Sequence, residues 1–158
     1  MFAASLVILA LSSTSNAAPK TKYGVTVVEC DFDYEDEEFC TDSRLKSYAK
    51  VIKERKPNFD GNKIIYVFET NATGYVNKKP YRLVVIDPAK KKVMPFGYAL
   101  SAASGSGGKA VAVNNRGDTM HYDFTLKSNR FCFSGDIDAL TPAVKSVQSN
   151  LGDFNYAA

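Results

Sequence analysis

From residue 63 onward the chain consists of short apolar runs separated by short polar turns, and that spacing limits the folds open to it. Residues 63–69 (KIIYVFE), 81–87 (YRLVVID), 92–100 (KVMPFGYAL), 110–113, 119–126, 130–133 and 136–140 each have the length and composition of a strand. The run 119–126 alternates most clearly, with Met120, Tyr122, Phe124 and Leu126 on one face and Thr119, His121, Asp123 and Thr125 on the other. Short connections join antiparallel neighbours, because a parallel return needs a long crossover. Pro95 and Gly97 inside one run point to an edge strand or a bulge, and Ser134-Gly135 to a break before residue 136.

Upstream, residues 23–29 (YGVTVVE) read as a first strand, and a helix follows. Asp42-Ser43 offers an N-cap, Leu45, Tyr48, Ala49 and Ile52 recur at helical spacing, and Pro57 ends the segment. Thr141-Pro142 is placed to cap a last short helix through Leu151. The expectation is an α+β, β-dominated fold. About seven antiparallel strands would form a small barrel or sandwich, with one N-terminal helix against a face or end.

The first seventeen residues read differently. Phe2 to Leu11 is apolar and uncharged, and Ser15-Asn16-Ala17 fits the small-x-small rule for signal peptidase. This predicts a signal peptide at 1–17 and a single β-rich domain at 18–158, acting in the periplasm or extracellular space. The apolar stretch is shorter than the roughly 20 residues of a membrane-spanning helix, so none is expected in the mature chain. No Lys or Arg precedes Lys20, so a basic n-region is expected upstream of this start; an uncleaved N-terminal helix is the alternative.

Three cysteines, Cys30, Cys40 and Cys132, fit an oxidising compartment with one disulfide and one thiol left over. Pairing Cys30 with Cys40 would close a short acidic loop, whereas a bridge from Cys132 to either would close a long one. Long closures gain more in the chain-entropy model, about 4–5 kcal/mol, which favours a bridge to Cys132. The formal net charge of +3 is too small to argue for nucleic acid. Its distribution is uneven: residues 31–42 hold seven carboxylates and no base, while 44–56 hold six bases and only Glu54. The two blocks are expected to neutralise one another.

No catalytic or metal set assembles from these residues. His121 is the only histidine; with Asp123 and Ser134 it suggests a hydroxyl–imidazole–carboxylate triad, but outward alternation on a half-buried strand explains the same pattern. Zinc needs three or four ligands, and no C-x-x-C pair is present. Asp31, Asp33, Glu35 and Asp36 lack EF-hand spacing and read as a solvated loop. No metal or cofactor is therefore expected. Arg116-Gly117-Asp118 is ordinary turn chemistry, and Asn71-Ala72-Thr73 is a glycosylation acceptor only in a eukaryotic source. Tyr66, Tyr75, Tyr81 and Tyr98 suit a core better than a binding surface.

Residues 101–109 (SAASGSGGK) stand out as the most flexible-looking loop. They lack the strand–loop–helix context and the terminal Ser/Thr of a phosphate loop. Ser104, Gly105, Ser106, Gly107 and Lys109 are instead the candidates for a partner-binding loop. The reading that follows is an exported, non-catalytic binding protein, most concretely an inhibitor or immunity-type protein that blocks a hydrolase or toxin. In general plan, antiparallel strands presenting a Ser-Gly loop, this resembles small bacterial lysozyme inhibitors. The alternatives are a small-ligand carrier with a β-barrel cavity and an exported carboxylate-dependent hydrolase.

Overall fold

The computed structural model describes residues 18–30, 39–70, 80–112, 117, 119–139 and 155–157. The proposed signal peptide, the acidic run 31–38 and the expected C-terminal helix all lie outside these residues. The first strand expected at 23–29 is instead a hairpin. Strand β1 (Lys20–Lys22) and strand β2 (Val25–Val27) pair antiparallel, with Lys22 opposite Val25. Tyr23 and Gly24 form the two-residue turn, both at positive φ (55° and 75°), as a type I′ connection requires. Gly24 reaches that conformation without a steric penalty and marks the turn in the sequence.

Helix α1 (Asp42–Glu54) buries Leu45, Tyr48 and Val51, with Ala49 and Ile52 packed beside them. Its N-cap is Thr41 rather than Asp42-Ser43: the Thr41 hydroxyl accepts from the Arg44 amide at 3.1 Å. Asp42, freed from capping, lies in the positive first turn of the helix. There it accepts from Lys22 Nζ at 2.5 Å and from the Tyr23 hydroxyl at 3.0 Å, which ties the hairpin to α1.

The next strands, β3 (Ile64–Glu69) and β4 (Tyr81–Asp87), pair antiparallel along their whole length, from Ile64 opposite Ile86 to Glu69 opposite Tyr81. Strand β5 (Lys92–Pro95) and strand β6 (Tyr98–Ser101) then share the other edge of β4. Between them the Phe96 amide still donates to Leu83 O at 2.9 Å, so Phe96-Gly97 is an interruption within one path. The edge position suggested by Pro95 is not observed, since β5 also pairs with β2. Pro95 lies beyond the two β5 residues that β2 contacts, where its missing N–H costs that ladder nothing.

Strand β7 (His121–Phe124), strand β8 (Arg130–Ser134) and strand β10 (Asn155–Ala157) form a second sheet in the order β10-β8-β7. Strand β9 (Asp136–Ala139) returns to the large sheet and pairs with β6, giving β1-β2-β5-β4-β6-β9 with β3 on the far side of β4. The architecture is thus α+β, β-dominated and sandwich-like. Two expectations are corrected. The sheets are mixed rather than antiparallel, because β2–β5 and β8–β10 run parallel, and the described strands form no closed barrel. The helix between β2 and β5 supplies the crossover that the first parallel pair needs. Of the run expected at 110–113, Ala110 forms a bridge to Ser104, Val111 and Ala112 are in no strand, and residue 113 lies outside the described residues.

Two apolar clusters occupy the two faces of the large sheet. On the helix side Val25, Val27, Leu45, Tyr48, Val51, Ile64, Phe68, Val84, Ile86 and Val93 pack together. On the other side Phe59, Ile65, Leu83, Val85, Phe96 and Leu100 meet Phe131 and Phe133 of the small sheet. The disulfide joins Cys30 to Cys40 on the helix side, and Cys132 is free and exposed on β8. This overturns the bridge to Cys132, since the central sheet separates that residue from the other two. A closure of ten residues contributes about 2.7 kcal/mol in the chain-entropy model, less than the long bridge would have.

Gly135 is where the chain leaves one sheet for the other. A Cβ built there would overlap Ser101 O and lie 2.8 Å from the Phe133 ring. The carbonyl belongs to backbone already fixed in β6, so it has little room to move. Gly135→Ala is expected to lower stability by about 2–3 kcal/mol, read as an earlier midpoint in urea unfolding.

Hydrogen bonds first from Lys22 and then from Tyr23 hold the Asp42 carboxyl below the usual aspartate range, and the Asp42 partner raises Lys22. A depressed carboxylate stabilises the fold while ionised, so this contribution is present above the unfolded aspartate value and lost as pH falls through the folded one. The Lys22 contribution is present below the unfolded lysine value and is lost as pH rises through the higher folded one. Asp42→Asn should therefore lower the urea midpoint at neutral pH and flatten its decline on the acid side.

Candidate functional site

Residues 101–111 form a hydrogen-bonded hairpin rather than the flexible loop their composition suggests. Ser101 and Ala102 are buried at the end of β6. The Ala103 amide donates to Thr119 O at 3.3 Å, and the Val111 amide donates to Ala103 O at 2.9 Å. Ser104 bridges to Ala110, the Gly105 amide donates to Lys109 O at 2.6 Å, and the Gly108 amide to Gly105 O at 3.1 Å. A single 3-10 turn at Ser106–Gly108 closes the tip.

The glycines are required by this geometry at two kinds of position. Gly107 and Gly108 have φ of 78° and 75°, a left-handed conformation that side chains disfavour. Gly105 is needed for space, since a Cβ there would lie 2.5 Å from Val111 Cγ1 and 3.2 Å from Lys109 O. Ser106, Gly107, Gly108 and Lys109 are exposed, so the tip presents small side chains, backbone and one cation to solvent.

A side-chain staple sets the hairpin's direction. The Ser104 hydroxyl donates to Asp136 Oδ2 at 2.6 Å, thirty-two residues away in sequence. Asp136 opens β9 directly after Gly135 and stands opposite Ser101. The corner that moves the chain between sheets thus delivers the carboxylate to the base of the hairpin. No local pattern links Ser104 to Asp136, and sequence reasoning missed this pair.

The other candidate groups fall on open surface or in the core. His121 stands opposite Ser134, and Asp123 opposite Cys132, on the outer face of the small sheet. All four are exposed, and no side-chain hydrogen bond joins His121 to Asp123 or Ser134. Among the described residues no group of three or more His, Cys, Asp or Glu is placed to hold a metal ion. Tyr66 packs against the helix-side cluster, and Tyr81 and Tyr98 against the other. Tyr75, Asn71-Ala72-Thr73, most of Arg116-Gly117-Asp118 and the acidic carboxylates of 31–38 lie outside the described residues. The expected neutralisation of the basic helix by that run therefore lies outside them as well; within them, Asp42 pairs with Lys22, and Lys50 approaches Glu54 at 3.9 Å.

Comparison with protein-family models, with characterised proteins and with solved structures finds no match for this chain.

If the staple holds the hairpin, Ser104→Ala should loosen it while leaving the core intact. Amide exchange at Gly105 and Val111 should quicken by about tenfold, corresponding to one lost charge-assisted hydrogen bond. Exchange at Val84 and Val85 should not change. Hydrogen exchange followed by NMR makes both measurements.

Proposed function

We propose that the protein is an exported, non-catalytic binding protein whose 103–111 hairpin enters a cleft on a protein partner, most concretely the active-site cleft of a hydrolase or toxin. The hairpin carries this reading. It is narrow, held at its base by the Ser104–Asp136 hydrogen bond, and ends in exposed Ser106, Gly107, Gly108 and Lys109. A preorganised loop loses little conformational entropy on binding, which favours affinity. Small residues at the tip let backbone N–H and C=O groups approach a partner closely.

Export rests on the apolar stretch and small-x-small site at 1–17, supported by the Cys30–Cys40 disulfide, which suits an oxidising compartment. Among the described residues no helix is long and apolar enough to cross a membrane. The carrier reading called for a cavity inside a closed barrel. The interior here is instead occupied by two side-chain clusters on opposite faces of an open sheet.

The test is capture of partners from native periplasm or culture medium by the mature chain, beside a variant lacking residues 104–108 and a Gly107→Arg variant. The expected result is a captured hydrolase or toxin whose activity the native chain inhibits and which neither variant retains. Unchanged capture by both variants would rule the hairpin out as the binding element.

A further inference from the structure

A second surface lies away from the hairpin, between α1 and the outer edge of β3. Ser47, Lys50, Val51 and Glu54 follow one another at helical spacing along α1 and face Tyr66 and Arg55 across a groove of about 350 Å³. Val51 is buried at its floor, and Tyr66 forms a half-buried wall with its ring edge-on to Tyr48. The Arg55 guanidinium lies 5.1 Å from the Tyr66 ring centroid, within cation–π range. Lys50 and Arg55 are exposed at the mouth; Lys53 adds charge on the same helix and Lys56 just beyond its end, while Lys46 lies over the Tyr23 ring. Glu54 is the one acid in that stretch.

Beside the groove, β3 pairs with β4 on one side only among the described residues. At Ile65 the outer side is occupied by the Asn58 amide, which accepts from the Ile65 N–H at 2.8 Å and donates to its C=O at 3.4 Å. Ile65 therefore turns its backbone groups away from β4. In an antiparallel ladder alternate residues turn the same way, so Val67 does too, and no described strand pairs with it. An edge of this kind is a template for strand addition.

We propose that this edge and groove dock an extended peptide segment of a protein partner in which acidic and apolar residues alternate. A strand laid along β3 sends the residue opposite Tyr66 into the groove, where Lys50 and Arg55 attract a carboxylate. The residue opposite Val67 goes to the other face, where Val67 itself packs against the second apolar cluster, so an apolar side chain fits there. The same charges oppose pairing with a second copy, which would bring another basic helix to the site. The site is separate from the 103–111 hairpin, and its fate does not decide that of the hairpin.

Fluorescence anisotropy tests this with the full mature chain and a fluorescein-labelled nonapeptide of alternating Glu and Val. Controls are the Lys/Val counterpart and a Glu/Val peptide N-methylated at alternate amides. The Glu/Val peptide should bind saturably. Binding should weaken by about tenfold or more with the Lys/Val peptide, with the N-methylated peptide, and with Arg55→Glu. Lys50→Glu provides a second charge variant, and circular dichroism checks that both variants fold. Absence of saturable binding, or binding that survives either charge reversal or N-methylation, overturns the proposal.

Discussion

The fold depends on the burial of β4 on both faces. Leu83 and Val85 face the small sheet while Val84 and Ile86 face α1, and all four have almost no exposed surface. A side chain of this size contributes about 1.5–3 kcal/mol when fully buried, so neither layer can be removed without a large loss. The same strand anchors β3 on one edge and β5 and β6 on the other. Each neighbour takes its register from a strand that cannot slip, because a shift by one residue would exchange the two buried rows.

From this arrangement follows the need to carry the chain from one layer to the other. A strand leaving the small sheet after Ser134 must join the large one beside β6, and the two backbones pass so closely that only glycine fits at 135. The corner has a second consequence. It fixes Asp136 next to the end of β6, where the chain emerges as the 103–111 hairpin, and so places an acceptor within reach of Ser104. The features of the hairpin are thus set by the core packing beneath it. It springs from buried Ser101 and Ala102, its arms are braced by backbone hydrogen bonds and the Ser104–Asp136 contact, and its tip is exposed.

Much of this was legible in the sequence, and the failures have identifiable causes. The runs at 64–69 and 81–87 were legible as strands; apolar residues at both parities made 64–69 read as central, but they report two covered faces rather than two paired edges, and β3 pairs with β4 alone among the described strands. The helix was legible from its period, yet its cap was not, since Thr41, Asp42 and Ser43 are all competent and only the backbone at Thr41 decides. The Tyr23-Gly24 hairpin was hidden by the β-branched residues around it. The cysteine pairing went wrong because loop-closure entropy describes the unfolded chain and takes no account of a sheet lying between the residues. Composition also concealed the hairpin at 101–111: glycine and serine signal a loop, but here they permit close backbone contacts across its two arms. For Arg82, buried opposite Phe68 on β4, nothing in the local pattern announces its position.

Charge adds a final constraint that operates at the edges of the fold rather than in its core. Asp42 is the first residue of α1, and its two partners come from the β1–β2 hairpin, so this carboxylate joins the hairpin to the helix. Of the bases further along α1, Lys46 also reaches the hairpin, its Nζ lying 5.3 Å from the Tyr23 ring centroid, whereas the arginines turn to β3. Arg44 stacks on Phe68 at 3.6 Å and Arg55 on Tyr66, both as side chains laid over rings of β3. Such stacking satisfies the apolar portion of each guanidinium group while leaving its charge turned outward. The helix therefore buries its apolar stripe against the sheet and keeps a positive rim along the edge strand. At that edge the Val67 backbone groups, turned away from β4, lie beside the positive rim, and the proposed docking of an extended acidic segment rests on that combination.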